Sequence, residues 1–429
     1  MSQVTRPVRR FLFLQGPHGP WFHRLAGLLR ITGAQVWRVG FNLGDRLFWP
    51  GPGYIAFKDS HDRWPDHCAT LFDQHQITDL VVYGDTRPIH ARAIRLAQAR
   101  GITVHVFEEG YLRPYWVTYE RDGSNGHSRL MHLAIPQMRA AMERVDPDLP
   151  DVPATWGDMR EHMFWGALYH GFVALGGRAY RNFRPHRALT VWQEFQLYLW
   201  RFLLMPVHRW ERRLATFRIR RGGFPYHLAI LQLEHDASFR DHSPFASMTD
   251  FLALVIDGFA KGAPQHHHLV FKAHPLEDGR VPILPTIRRL AAERGLADRV
   301  HFVRGGKLAQ LLNDARSAVT VNSTAGQQAL WRGLPLRTFG DAVYAKPEFV
   351  SSQPLDEFFA APQRPDTRAY RDYRQFLLET SQLVGGFYSG RGRRRLLRQV
   401  VDLMLAPQDP YQALTAGKAA PRQQLRLVR

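Results

Sequence analysis

Sulfur and long apolar runs are both scarce in this chain. Cys68 is the single cysteine among 429 residues, which excludes an internal disulfide and a cysteine-ligated metal site and fits a reducing compartment. Nowhere do about 18 apolar residues follow one another without a charge, so no transmembrane helix is expected. The apolar run Phe11-Leu12-Phe13-Leu14 meets Gln15-Gly16-Pro17 too soon for a signal peptide and reads as a first strand. H-E-x-x-H and G-x-S-x-G are both missing, which argues against zinc hydrolysis and a serine esterase. Zinc-finger spacing, an RNA-binding aromatic motif and a helix-turn-helix are missing too, which argues against nucleic acid as a partner.

Acidic residues are the other shortage. Lys and Arg number 57 against 38 Asp and Glu, a formal charge of +19 that calls for an anionic partner: lipid, nucleotide-linked sugar or nucleic acid. Between Gly177 and Gly222 eleven arginines face only Glu194 and Glu211. There Trp192, Phe195, Leu199 and Phe202 recur at helical spacing, which predicts a helical insert. Its basic aromatic face, including Trp200 and Trp210, suits either the headgroup level of an anionic membrane or plain solvent.

The remaining hydrophobic residues, 45% of the chain with the aromatics, are ample for two domains. Short apolar runs alternate with helix-period segments, the pattern of parallel strands joined by helices. Strands are expected at 11–14, 35–39, 80–83 and 103–107, with helices at 22–32 and 89–100 and a Gly/Pro-rich loop at 42–53. A second series falls at 228–231, 269–272, 300–303 and 318–321. Beyond Gly340 the strand pattern fades into helices at 370–378 and 394–405. The expected division is residues 1–150, an insert at 151–222, a second domain at 223–345, and C-terminal helices with a basic tail at 346–429.

In an open α/β sheet, ligands bind beyond the carboxyl ends of the strands. Glu108 and Glu109 stand there, followed by Gly110, either as a base or nucleophile raised in pKa by partial burial or as an acidic turn paired with Arg113. Lys272, His274 and Pro275 offer a cation, an imidazole and a rigid turn, suited to a phosphate or pyrimidine. Asn322, Ser323 and Thr324 precede a helix at 327–331, where Ser323 or Thr324 is a natural N-cap and the helix start a phosphate site. Gln15 and Gly16, Asn42 and Asp45, Asp85 and Arg87, and Gln232 are further cleft candidates. His266-His267-His268 is assigned to solvent, since three adjacent residues in a loop cannot all face one ion.

The order of these motifs is itself informative. Gln15-Gly16-Pro17, Asn42-Leu43-Gly44-Asp45, Tyr83-Gly84-Asp85-Thr86-Arg87, Phe107-Glu108-Glu109-Gly110-Tyr111-Leu112-Arg113-Pro114, Leu231-Gln232, His274-Pro275 and Val321-Asn322-Ser323-Thr324 together resemble the capsule polysaccharide biosynthesis and export family, closest to its single-module capsular β-Kdo transferases. The resemblance implies a GT-B-like α/β fold of two Rossmann-type domains facing a cleft. It also implies a CMP-Kdo donor, a (lyso)phosphatidylglycerol or Kdo-linker acceptor and retention at the anomeric carbon; with no Asp-x-Asp between strands, neither metal nor cofactor is expected. The Glu-Glu-Gly and His-Pro elements are similar to motifs of bacterial sialyltransferases. Carried over, Glu108 or Glu109 is the catalytic carboxylate, while His274 and Ser323 or Thr324 hold the CMP phosphate. The implied setting is the inner face of the cytoplasmic membrane, beside the capsule assembly and export proteins. Two other readings stay open: a transferase of another nucleotide-activated group, such as glycerol phosphate, and a non-enzymatic basic adaptor.

Overall fold

The computed structural model describes residues 8–113, 115–143, 159–183, 191–277 and 279–417. Pro114, Arg184, Arg187 and the side chains of Trp192, Phe195, Leu199 and Phe202 lie outside the described residues. The strands are β1 (Arg10–Phe13), β2 (Gln35–Gly40), β3 (Tyr54–Ala56), β4 (Asp79–Tyr83), β5 (Thr103–Glu109), β6 (Trp116–Arg121), β7 (Tyr226–Ile230), β8 (His268–Lys272), β9 (Val300–Val303), β10 (Ser317–Thr320), β11 (Leu336–Thr338) and β12 (Gln382–Val384). The chain divides into two compact units. One comprises Met1–Arg129, Arg139–Ala188 and Gln375–Arg429; the other comprises Leu130–Met138 and Leu189–Arg374.

The first unit holds a sheet in the order β12-β6-β5-β4-β1-β2-β3. From β3 to β5 neighbouring strands are parallel, and β6 then runs antiparallel to both β5 and β12. Side chains that alternate along a strand reach opposite faces, and both faces here are apolar. Phe11 and Phe13 of β1 join Val81, Phe107 and Val117 on one face, under Trp21, Phe22, Leu25 and Leu29 and under Leu396, Val400 and Leu403 of the helix Gly390–Leu405. Leu12 and Leu14 join Leu80, Val82, Val104 and Val106 on the other, under the helices Trp64–Gln74 and Pro88–Gln98.

The second unit has the all-parallel order β11-β10-β7-β8-β9. Both sheets therefore share one wiring: the first strand of each is flanked by its second and fourth. The chain changes direction beside β1 and again beside β7, the topological switch points where a Rossmann-type sheet leaves room for a ligand. Mixed α/β units with parallel sheets of this kind are what a GT-B-like chain comprises.

Several local features depart from the expected pattern. The 42–53 loop contains a short helix, Leu43–Leu47, whose first turn is capped by the Asn42 side chain accepting from Asp45 N at 2.9 Å. β5 continues through Glu108 and Glu109, which pair with Thr118 and Val117, so both glutamates are strand residues. β6 and β12, with no expected counterpart, close that edge of the sheet. The segment 151–222 supplies the helix Met159–Leu175 to the first unit and Val191–Arg221 to the second. No helix among the described residues is long and apolar enough to cross a membrane.

Candidate functional site

In the first unit the polar residues gather beyond β4 and β5. Gly84 ends β4 with φ of 70°, the left-handed region that favours glycine. A Cβ there would stand 3.1 Å from Glu108 Oε2, so the missing side chain also makes room for the carboxylate. His90 Nδ1 meets the Gly84 carbonyl oxygen at 2.8 Å and fixes the turn. Glu108 Oε1 accepts from Glu109 N at 3.1 Å, and Thr118 Oγ1 donates to the Glu109 carbonyl at 3.2 Å. Tyr83 OH donates to Glu109 Oε1 at 3.4 Å.

Burial pushes the Glu108 carboxyl up to about 7, helped by the negative charge of Glu109 and Asp85 and opposed by Arg113 and the Glu109 N–H. Burial raises Glu109 as well, against the pull of Arg113 and the Tyr83 hydroxyl. Arg113 is exposed and donates from Nε to the Gly110 carbonyl at 3.3 Å, so no ion pair to either glutamate consumes it. Arg87 lies 5.6 Å from the Tyr83 ring centroid and holds that ring by cation–π attraction. Asp85 is committed to structure: its carboxylate accepts from Ser124 N at 2.8 Å and meets His127 Nδ1 at 3.1 Å.

Gln15, Asn42 and Asp45 form a separate buried knot. Asp45 accepts from Gln15 Nε2 at 3.1 Å, Phe41 N at 2.9 Å and Arg38 Nη2 at 3.2 Å. Asn42 Nδ2 and Gln15 Nε2 both reach the Tyr169 hydroxyl, at 2.8 and 3.4 Å. Gly16 is obligatory beside them, since a Cβ would lie 2.5 Å from the Phe22 ring. These residues pin the helix Met159–Leu175 onto the loop after β1.

In the second unit Lys272 ends β8 between β7 and β9, buried, with Nζ donating to the Ala273 carbonyl at 3.3 Å. Burial lowers its ammonium to about 8, with the Arg212 charge adding to the effect. His274 follows, its Nδ1 accepting from Leu276 N at 3.1 Å. Gly305 and Gly306, after β9, have φ of 70° and 93°. Added Cβ atoms there would lie 3.6 Å from Pro275 Cα and 2.8 Å from Arg212 Cδ. Arg212 therefore lies along the Gly305-Gly306 loop and brings a second cation to the Lys272-His274-Pro275 segment.

Across the β7–β10 switch point, Gln232 Nε2 donates to Asn322 Oδ1 at 2.6 Å and Asn322 N donates to Gln232 Oε1 at 3.2 Å. Asn322 Nδ2 donates to the carbonyls of Ser238 and His242 at 2.6 and 2.9 Å. Its amide thus ties β7, β10 and the helix Ala237–His242 together. The next helix is Gly326–Leu330 with Ala325 at its N-cap, so neither Ser323 nor Thr324 caps it. The Ser323 hydroxyl instead accepts from Ala325 N at 3.2 Å, the local turn that serine favours when it follows a strand. Ser323 and Thr324 both stay partly accessible.

Residues 78–388, a span running from β4 to past β12, match the family model described as capsule polysaccharide biosynthesis protein. The chain belongs to that family. It is 32% identical over 392 residues to the capsule polysaccharide export protein KpsS of Escherichia coli, covering 89% of this chain and 97% of that protein. It is 30% identical over 393 residues to the capsule polysaccharide modification protein LipB of Neisseria meningitidis serogroup B, covering 91% and 94%. Among solved structures, the Thermosulfurimonas dismutans KpsC β-Kdo 2,7 transferase aligns over 92% of this chain and all of that one, at 14% identity and a TM-score of 0.41.

The family match contains two groups that sequence reasoning passed over. Tyr388 is held by Tyr83 and sits in the field of Glu109, with its ring stacked on His162 at 4.0 Å. Phe387 meets Tyr83 edge-on at 5.3 Å. The signal for them was the glycine-rich run Gly385-Gly386-Phe387-Tyr388-Ser389-Gly390, a turn before a helix. Outside the matched range of any strand motif, Arg212 gave no signal beyond its place in an arginine-rich helix.

Proposed function

We propose that this member of the capsule polysaccharide biosynthesis family is a glycosyltransferase that moves Kdo from CMP-Kdo to a (lyso)phosphatidylglycerol or Kdo-linker acceptor, at the inner face of the cytoplasmic membrane, with retention at the anomeric carbon. The observation that carries it is Glu108: a carboxyl at the carboxyl edge of a Rossmann-type sheet, held by burial near neutrality, where it both takes and gives a proton. In the transfer, the bond from the anomeric carbon to the CMP phosphate oxygen breaks, a bond to the acceptor oxygen forms, and the acceptor proton needs a base. A single base-assisted displacement would invert the carbon, so under retention Glu108 is the nucleophile of a two-step route or the base that takes the acceptor proton in its second step, with Glu109 and Tyr83 fixing its setting.

Lys272 and Arg212 form the cationic group for the donor phosphate, the His274 imidazole stands beside them, and Ser323 and Thr324 offer hydroxyls from the end of β10, two strands from β8. Gln232 and Asn322 hold that edge in shape. No metal is needed for charge neutralisation in this scheme, because the cations are the protein's own. The test is incubation of the purified chain with CMP-Kdo and a fluorescent lyso-phosphatidylglycerol, followed by mass analysis of the lipid. A mass gain of one Kdo or more is expected. Transfer from a CDP- or UDP-linked donor with none from CMP-Kdo would replace the donor, and no transfer from any of them would favour the adaptor reading.

A further inference from the structure

The helix Val191–Arg221 presents two opposite faces. On one, Ile219 is buried and Arg212 lies against Gly306, so this face packs on the second unit. On the other, Trp200, Leu203, Val207, Trp210, Leu214 and Phe217 follow at alternating steps of three and four residues, one continuous stripe. Large apolar side chains on a soluble surface are normally scattered, yet here Trp200 is 62% exposed, Trp210 66% and Phe217 55%. Exposed Arg213 and Arg218 border the stripe on its two sides, Arg209 lies beyond Arg213, and Arg221 stands at its end.

The charge around the stripe is one-sided because the nearby acids are spent. Glu211 pairs with Arg304 at 3.5 Å and Asp314 with Arg220 at 3.3 Å. A three-four stripe is also the seam of a coiled coil, but a second copy is a poor occupant. Parallel pairing would set Arg213 against its mate's Arg218, two like charges where such seams place opposite ones, and Pro206 stands inside the helix beside the seam. Tryptophans beside arginines match instead a surface that is apolar below and anionic above.

We infer that the Trp200–Phe217 stripe, flanked by Arg213 and Arg218, docks the protein on an anionic phospholipid surface. This deepens the membrane setting proposed above by naming the face, and it stands on the helix geometry apart from the sugar chemistry. The same helix carries Arg212 on its inner face, so the element that meets lipid also shapes the cationic group at Lys272.

The full chain is sedimented with vesicles of phosphatidylcholine alone and of three parts phosphatidylcholine to one part phosphatidylglycerol. Binding is expected only to the second, and weaker at high salt. Arg213→Ala with Arg218→Ala is expected to bind roughly thirtyfold less tightly. Trp200→Ser with Trp210→Ser, both solvent-facing and so compatible with an unchanged melting temperature, is expected to lose at least tenfold, on the order of the apolar area removed. Equal binding to both vesicles, or full binding by the tryptophan variant, overturns the proposal. So does a wild-type dimer in sedimentation velocity that the tryptophan variant abolishes without vesicle binding in either. Transfer to detergent-dispersed lyso-phosphatidylglycerol is measured alongside: its absence while vesicle binding follows the stripe overturns the transferase reading and supports the docking face.

Discussion

Gln232 and Asn322 clasp each other at the switch point of the second sheet, each giving one hydrogen bond to the other, at 2.6 and 3.2 Å. Ninety residues apart in sequence, they hold the ends of β7 and β10 at one spacing. Asn322→Ala leaves Gln232 Nε2 without its acceptor and takes one donor each from the carbonyls of Ser238 and His242, while Gln232 Oε1 keeps the main-chain N–H of residue 322 and the His242 carbonyl keeps Asp341 N at 2.8 Å. A loss of about 1–3 kcal/mol is expected, measured by urea unfolding, with a smaller loss for Gln232→Ala because Asn322 keeps its two carbonyl partners.

Glu108 predicts opposite effects on activity and stability. Its folded-state carboxyl lies near 7, above the unfolded value of 4.5, so its contribution to stability is full below about 4.5 and is lost as pH rises through 7. Glu108→Gln is therefore expected to gain stability above pH 7, on the order of 1–3 kcal/mol, seen as a higher melting temperature. Transfer by the wild type is expected to rise with pH through about 7 and the Gln variant to lose at least about a hundredfold in rate. A pH–rate profile of kcat/KM checks both.

The histidines at the amino end of the second sheet predict acid sensitivity. His227 is buried between Ser317 Oγ at 2.8 Å and His267 Nδ1 at 3.0 Å, and burial lowers it to about 3 and His267 to about 4. Both stay neutral in the folded chain while the unfolded chain takes up protons near 6.5, so stability is present above 6.5 and is lost as pH falls from there toward 4. Between pH 7.5 and 5 a loss of about 2 kcal/mol from His227 is expected, and less from the more accessible His267. Chemical denaturation at the two pH values measures it. The solvent assignment of His266-His267-His268 thus needs correction for two of the three: His267 is buried in this chain, and His268 bonds His301 at 2.8 Å.

Lys272 and Arg212 predict donor affinity. Lys272→Met is expected to weaken CMP binding roughly tenfold to a hundredfold, the range of a charge-assisted hydrogen bond, and Arg212→Ala somewhat less. Titration calorimetry with CMP reads both. Wild-type affinity is expected to fall above pH 8, as the Lys272 ammonium loses its proton.

What the sequence disclosed follows from where its information is local. β4, β7, β8 and β10 are buried on both faces, so each is a short apolar run that stands out among helices. β12 has three residues, and only its pairing with β6 makes it a strand. Polar Glu108 and Glu109 make Phe107 look like the end of β5, yet the antiparallel partner β6 extends the ladder past them. At the candidate site, residues that follow strands were visible by position. The residues that tune them were not: Tyr388 meets Tyr83 from about three hundred positions along the chain, and Arg212 meets Lys272 from sixty positions before it. Nor does sequence distinguish a polar group that awaits a ligand from one already engaged, as the amide of Asn322 is.

The split of the first unit sets an order of synthesis. Phe11, Phe13, Val81 and Phe107 are made early, but the face they share is covered by Leu396, Val400 and Leu403. The second unit, drawn from residues 130–138 and 189–374, is complete before those three residues emerge from the ribosome. The half made first therefore waits with that face covered only by the helix that carries Trp21, Phe22, Leu25 and Leu29, while every residue of the half made later is already at hand.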